Sequence, residues 1–119
     1  MTIIIAECAQ GYYKQTIEES IDLAKMLVRV SKASGADAVK FQAWKTSEII
    51  EPGTRTAQYQ LSTTGDNDQY EMLKALEVDF NFLKEVFRHC SKIGIEFMCT
   101  ADDTISLSEI DSLLSLIHI

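Results

Sequence analysis

Four side chains have the types and spacing to hold a small anionic, hydroxyl-rich molecule: Glu7, Lys40, Gln42 and Thr100. They supply a carboxylate, an ammonium, an amide and a hydroxyl, each near the end of a short run that reads as a strand. In Gly35-Ala-Asp-Ala-Val-Lys-Phe-Gln42, alternation sends Ala38, Lys40 and Gln42 to one face and Asp37, Val39 and Phe41 to the other. Val39 and Phe41 suit a face covered by helices, whereas a buried ammonium or amide needs partners. In parallel α/β folds the C-terminal strand ends form the ligand-bearing edge, whatever the reaction. Two plainer readings stand beside this one: an edge strand with Lys40 and Gln42 solvated, and polar strand ends that coincide by chance.

The elements that must position these groups follow from pattern. Residues 2–8 alternate as a strand, with Ile3, Ile5 and Glu7 on one face and Ile4, Ala6 and Cys8 on the other. Cys8 to Tyr12 makes a turn, and Thr16-Ile-Glu-Glu19 is a capping box that starts a helix. Ile17, Ile21, Ala24, Leu27 and Val28 give that helix its buried stripe, and Gly35 supplies the left-handed stop. Residues 46–69, which hold the only proline, read as a long functional loop anchored by Tyr59, Leu61 and Tyr70. One or two helical turns follow over 70–76. Asp79 caps the next helix, whose stripe is Leu83, Val86, Phe87 and Cys90 and whose stop is Gly94. Residues 95–100 form a third strand with Glu96, Met98 and Thr100 on one face. Ser106-Leu-Ser-Glu109 reads as a second capping box, with Leu107, Ile110 and Leu114 as the stripe, and 116–119 reads as the start of a fourth strand. The sum is three βα units, which implies a parallel sheet with right-handed crossovers. Lys and Gln pointing inward near a strand end, opposite an apolar outer face, is the pattern of an α/β barrel with a ligand at its mouth.

Composition narrows the classes. At 119 residues, 46% hydrophobic and 24% charged, the chain is one domain at most. A net charge of -7 argues against nucleic acid or an anionic membrane as partner. Cys8, Cys90 and Cys99 are odd in number and form no CxxC, so they read as small buried groups in a reducing compartment. The apolar run from Ile3 to Ala6 is too short for a signal peptide or a span, so a cytoplasmic setting is expected. Met26, Met72 and Met98 read as core filler, and Trp44 as packing under the long loop. His89 reads as solvent-facing. Asp102 and Asp103 read as loop residues favoured by the dipole of the helix they precede.

Ile4-Ile-Ala-Glu7, Gly35-Ala-Asp-Ala-Val-Lys-Phe-Gln42, Tyr70-Glu-Met-Leu-Lys-Ala-Leu76 and Gly94-Ile-Glu-Phe-Met-Cys-Thr100 together resemble the N-terminal part of the sialic acid synthases. That family includes N-acetylneuraminate, legionaminate and pseudaminate synthases, and the second segment is the most specific of the four. The resemblance implies the N-terminal portion, about three βα units, of a TIM (β/α)8 barrel. It implies a transferase that condenses phosphoenolpyruvate with an N-acetylated amino sugar, such as N-acetylmannosamine or a bacillosamine-type sugar, and releases phosphate. A divalent metal, Mn2+ or Mg2+, is expected in the complete enzyme, with its ligands outside this chain, and so is a homodimer. By the same resemblance Glu7 would position water or a proton near the reacting carbon. Lys40 and Thr100 would hold the phosphate or carboxylate of phosphoenolpyruvate, and Gln42 would touch the sugar. Two departures stand out. The Asn-His pair common in the family's first turn is replaced by Gln10-Gly-Tyr-Tyr13, where Gln10 can make similar hydrogen bonds. Thr100 is followed by Ala101-Asp102-Asp103 where many members have Pro-Phe.

Rival readings are a receiver-type signalling domain, a nucleotide-binding half-domain and a Schiff-base aldolase using Lys40. The first needs five βα units and the second a glycine-rich first turn. Borohydride trapping would reveal the third. On the synthase reading residues 1–119 are an apparently truncated catalytic barrel, inactive alone, with unpaired sheet edges that favour self-association.

Overall fold

The computed structural model describes residues 2–9, 16–51 and 69–115. Strands β1 (Ile5–Ala9), β2 (Ala38–Ala43) and β3 (Glu96–Ala101) pair in parallel in the spatial order β1-β2-β3. A doubly wound sheet of the receiver type sets its first strand between the second and third. Here β2 is the middle strand, which is the order of a barrel wall.

Between and after the strands lie α1 (Ile17–Ala33), the short α2 (Thr46–Ile49), α3 (Gln69–Leu76), α4 (Phe80–Ile93) and α5 (Thr104–Ser115). Thr16 caps α1 as its spacing predicts, accepting from Glu19 N–H at 3.1 Å and donating to the Glu19 carboxylate at 2.9 Å. Asp79 caps α4 through Phe82 N–H at 2.8 Å. Gly94 ends α4 at φ 81, and Gly35 lies just past α1 at φ 97, both in the left-handed region that costs glycine little.

One face of the sheet is the core. Val39, Phe41 and Ala43 of β2 and Phe97 of β3 pack on Ala24 and Val28 of α1, on Phe82, Leu83, Val86 and Cys90 of α4, and on Ile110 and Leu113 of α5. Phe97 stacks on Phe41 with centroids 6.1 Å apart and meets Phe87 edge-on at 5.7 Å, contacts worth roughly 0.5–1.5 kcal/mol each beyond burial.

Several expectations change. The box at Ser106 to Glu109 does not start a helix. Asp103 Oδ1 accepts from Ser106 N–H at 2.8 Å, so α5 begins three residues earlier and Ser106 lies inside its first turn. That offset rotates the buried stripe to Ser106, Ile110 and Leu113 and leaves Leu107 and Leu114 exposed. Ile17, in the first turn of α1, is exposed because the helix meets the sheet only farther along, through Ala24 and Val28. Met26 is exposed on α1, and Met98 is partly exposed because it shares the face of Lys40. Only Met72 of the three methionines is core. Residues 46–49 form a helical turn within the expected loop. Tyr59, Leu61 and the expected strand at 116–119 lie outside the described residues.

Candidate active site

The register sets the predicted groups side by side. Glu7 is opposite Lys40 across β1 and β2, and Gln42 is opposite Thr100 across β2 and β3. All four lie on the face opposite the helices, since their neighbours Cys8, Val39, Phe41 and Cys99 belong to or pack against the core. Lys40 Nζ lies 3.4 Å from Glu7 Oε2, with the two side chains 37% and 49% exposed, so the pair stays open to a ligand.

A backbone irregularity fixes the carboxylate. The β1–β2 register shifts between Glu7 and Ala9, and Ala9 takes a left-handed φ of 37. Its N–H then donates to Glu7 Oε1 at 3.1 Å. Bulges of this kind re-aim side chains beside functional sites. Gln10, the remaining expected sugar contact, lies outside the described residues.

Sequence reasoning missed the clamp that holds the loops after β2 and β3 together. Asp103 Oδ2 accepts from Lys45 N–H at 2.7 Å and from the Ser106 hydroxyl at 2.9 Å, and Asp102 N–H donates to Ala43 O at 3.0 Å. Lys45 Nζ pairs with Glu109 Oε1 at 3.2 Å. Burial pushes the Asp103 carboxyl up, but the N–H groups of Ser106 and Lys45 and the Ser106 hydroxyl outweigh it and hold it below the usual carboxylate range. One residue further along the same segment, Glu77 Oε1 accepts from Thr46 N–H at 2.7 Å. There too burial raises the carboxyl, and the backbone and side chain of Thr46 with the Lys74 ammonium bring it below its ordinary value. An aspartate three residues before a serine at a helix start was the available signal for Asp103.

Trp44 is buried, and its indole N–H donates to Leu73 O of α3 at 3.1 Å; residues 52–68 of the loop it was expected to pack under lie outside the described residues. A cavity of about 240 Å³ lies beside it, next to Gln42. His89 is half-buried, with Nε2 3.4 Å from Arg29 Nη1. Burial and then the charges of Arg29, Lys25 and Lys92 lower its pKa. Among the described residues no three His, Cys, Asp or Glu side chains gather as a metal site. No described helix is long and apolar enough to cross a membrane.

With this geometry in place, comparison with known proteins is direct. The pattern of the NeuB family matches residues 27–119. The chain is 36% identical over 113 residues to the N,N'-diacetyllegionaminic acid synthase of Campylobacter jejuni, covering 94% of this chain and 32% of that one. It is 44% identical over 100 residues to the protein of the same name from Legionella pneumophila, covering 81% and 26%. Among solved structures it resembles an N-acetylneuraminic acid (sialic acid) synthetase from Leptospira borgpetersenii in complex with citrate. The TM-score there is 0.67 at 20% identity, over 93% of this chain and 33% of that one. The chain thus spans about a third or less of the length of the curated relatives it matches, and its fold is that of the N-terminal part of the synthetase barrel.

Proposed function

The chain belongs to the NeuB family, and on that premise we propose that it forms part of an enzyme condensing phosphoenolpyruvate with an N-acetylated amino sugar. The product is a sialic acid-type nonulosonate, and phosphate is released. The names of the two relatives, which make a diacetylated product, support an acceptor carrying N-acetyl groups. The observation that carries the reading is the in-register placing of Glu7 beside Lys40 and of Gln42 beside Thr100 on the face opposite the helices.

In this reading C3 of phosphoenolpyruvate bonds to the aldehyde carbon of the open-chain sugar. Water adds at C2, and the bond from C2 to the phosphate oxygen then breaks. Lys40 supplies a charge-assisted contact to phosphate or carboxylate, and Thr100 adds a hydroxyl donor. Glu7, held through Ala9 N–H, positions the water or a proton beside the reacting carbon. Gln42 and Gln10 hold the sugar.

A divalent metal belongs to the proposal for the complete enzyme. The described residues do not fit one, so the steps assigned here run through Glu7, Gln10, Lys40, Gln42 and Thr100 alone. A homodimer, a cytoplasmic setting and a need for more barrel than residues 1–119 complete the proposal. The three cysteines are all free, which suits a reducing compartment.

A chimera tests it, with residues 1–119 replacing the matching N-terminal part of the Legionella relative. Phosphate release from phosphoenolpyruvate is then followed with N-acetylated amino sugars and Mn2+. Turnover that vanishes with Glu7→Gln is expected. A folded chimera without sugar-dependent phosphate release, or one whose Lys40 is trapped by borohydride with a keto acid, would overturn the reading.

A further inference from the structure

Helix α1 rests on the core through Ala24 and Val28, both fully buried. At 3.6 residues per turn, about 100° each, Met26 stands on the opposite side of the helix, and it is 43% exposed. Further βα units extend a parallel wall from its edges at β1 and β3, so they leave this side of α1 uncovered.

The charges on that side are sorted by sign along the helix. Glu18 and Asp22 come before Met26 and Arg29 and Lys32 after it, and all four are exposed. The helix dipole favours that order in the first and last turns, but Asp22 and Arg29 lie inside them. Neither has an ion-pair partner among the described residues. Lys25, three residues from Asp22, turns instead to Glu85 at 3.6 Å. Arg29 meets the ring of His89 at 3.4 Å, and a guanidinium only donates, so that ring is neutral. Glu18 and Asp22 are like charges four residues apart, as are Lys25 and Arg29, which destabilises a lone helix.

We propose that this face is the contact with a second copy of the chain, each α1 lying antiparallel on the other about a two-fold axis. The axis passes between Lys25 and Met26. Asp22 is then opposite the partner's Arg29, and Arg29 opposite the partner's Asp22, as an isologous contact requires. The two Met26 side chains flank the axis. Glu18 reaches the partner's Lys32, an ammonium with donors to spare beyond its bond to Gly94 O. The occupant is a second copy because the face carries both signs in an order that its own reversal complements. A purely acidic or basic partner would meet half of it with like charge, and so would a parallel copy. The contact is independent of the reaction proposed above and gives the homodimer a surface within this chain. One helix against one helix is at the small end of interface areas, so the dimer is weak and loosens with salt.

Sedimentation of the 119-residue chain over a concentration series tests it, with the fold of each variant checked by circular dichroism. A reversible dimer is expected, weakened at least about tenfold by Asp22→Arg and by Arg29→Asp, since each sets like charges across the axis. Mixed together, the two variants should recover the dimer, because one chain then carries two cations and the other two anions at the facing positions. A chain that stays monomeric throughout overturns this contact and leaves any homodimer to surfaces outside it. A dimer unmoved by either substitution overturns it too and points to the open sheet edges, as does a failure to recover on mixing. Raising the ionic strength on the unsubstituted chain asks the same without any variant: a dimer insensitive to salt overturns the charge pairing.

Discussion

Lys40 and Glu7 are register partners on adjacent parallel strands, and the ammonium lies 3.4 Å from Oε2 of a carboxylate whose other oxygen, Oε1, accepts from the Ala9 N–H. The pair satisfies both groups on a face that lacks the helices' apolar cover, and it leaves the ammonium reachable by an anion. Glu7→Gln keeps the shape and one acceptor but removes the charge and the proton-handling oxygen. In an active chimera we expect kcat to fall about 10²- to 10⁴-fold, the range of general acid–base catalysis, with phosphoenolpyruvate KM little changed. Steady-state kinetics check this, and an unchanged kcat would remove Glu7 from the chemistry.

Lys40→Ala and Gln42→Ala should separate the two substrates. The first removes a charge-assisted contact to phosphate or carboxylate and should raise phosphoenolpyruvate KM at least about tenfold. The second should act mainly on the KM for the sugar. Equal effects of both changes on both substrates would refute the assigned roles.

How much of this was legible from residues depends on the length over which a pattern runs. Strand alternation repeats every two residues and is tied to a helix stop at Gly35 and at Gly94, so β2, β3 and their polar face could be read directly. Thr16 and Asp79 could be read too, because a cap bonds to its own first turn. The start of α5 was misread, since Ser106 matches a cap as well as Asp103 does. What decides between them is that Asp103 also receives Lys45 N–H from a loop 58 residues away. The bulge at Ala9 has no sequence signature at all, because an alanine does not announce a positive φ.

Asp103 should govern acid stability. Its folded pKa is depressed, so the stability it contributes is present above the unfolded value near 3.9 and is lost as pH falls through the lower folded one. Glu77 behaves the same way. We expect the wild-type chain to lose stability steeply below about pH 4. Asp103→Ala should cost about 0.5–2 kcal/mol at pH 7, the range for a lost helix cap, and should flatten that acid limb. Urea denaturation at stepped pH measures both. An acid limb unchanged by the substitution would show that other carboxylates carry it.

The cysteines should be inert in the native state. Burial pushes the Cys90 and Cys99 thiols up to about 12, with Cys8 and with Asp102 and Glu7 adding respectively. Cys8 is raised as well, by burial first. At pH 8 a thiol near 12 is thiolate in about one molecule in 10⁴, against roughly a quarter for an ordinary cysteine. Iodoacetamide should therefore leave Cys90 and Cys99 unlabelled natively and label them in urea, as read by mass spectrometry. Fast native labelling of Cys99 would contradict its packing against the core.

The methyl of Ala9 makes its left-handed φ of 37 a source of strain that can be relieved without touching the Glu7 carboxylate. Ala9→Gly accepts the φ of 37 at little cost and keeps the N–H that reaches Glu7 Oε1. It should stabilise the fold by up to about 1 kcal/mol, because alanine in the left-handed region costs more than glycine does. Ala9→Pro removes that N–H and fixes φ near -65, so it breaks both the bulge and the contact. If the bulge positions Glu7, the glycine variant keeps kcat while the proline variant loses about as much as Glu7→Gln, with phosphoenolpyruvate KM little moved. Thermal denaturation of both variants separates lost folding from lost positioning. A proline variant that folds and turns over normally would show that Glu7 needs no backbone partner.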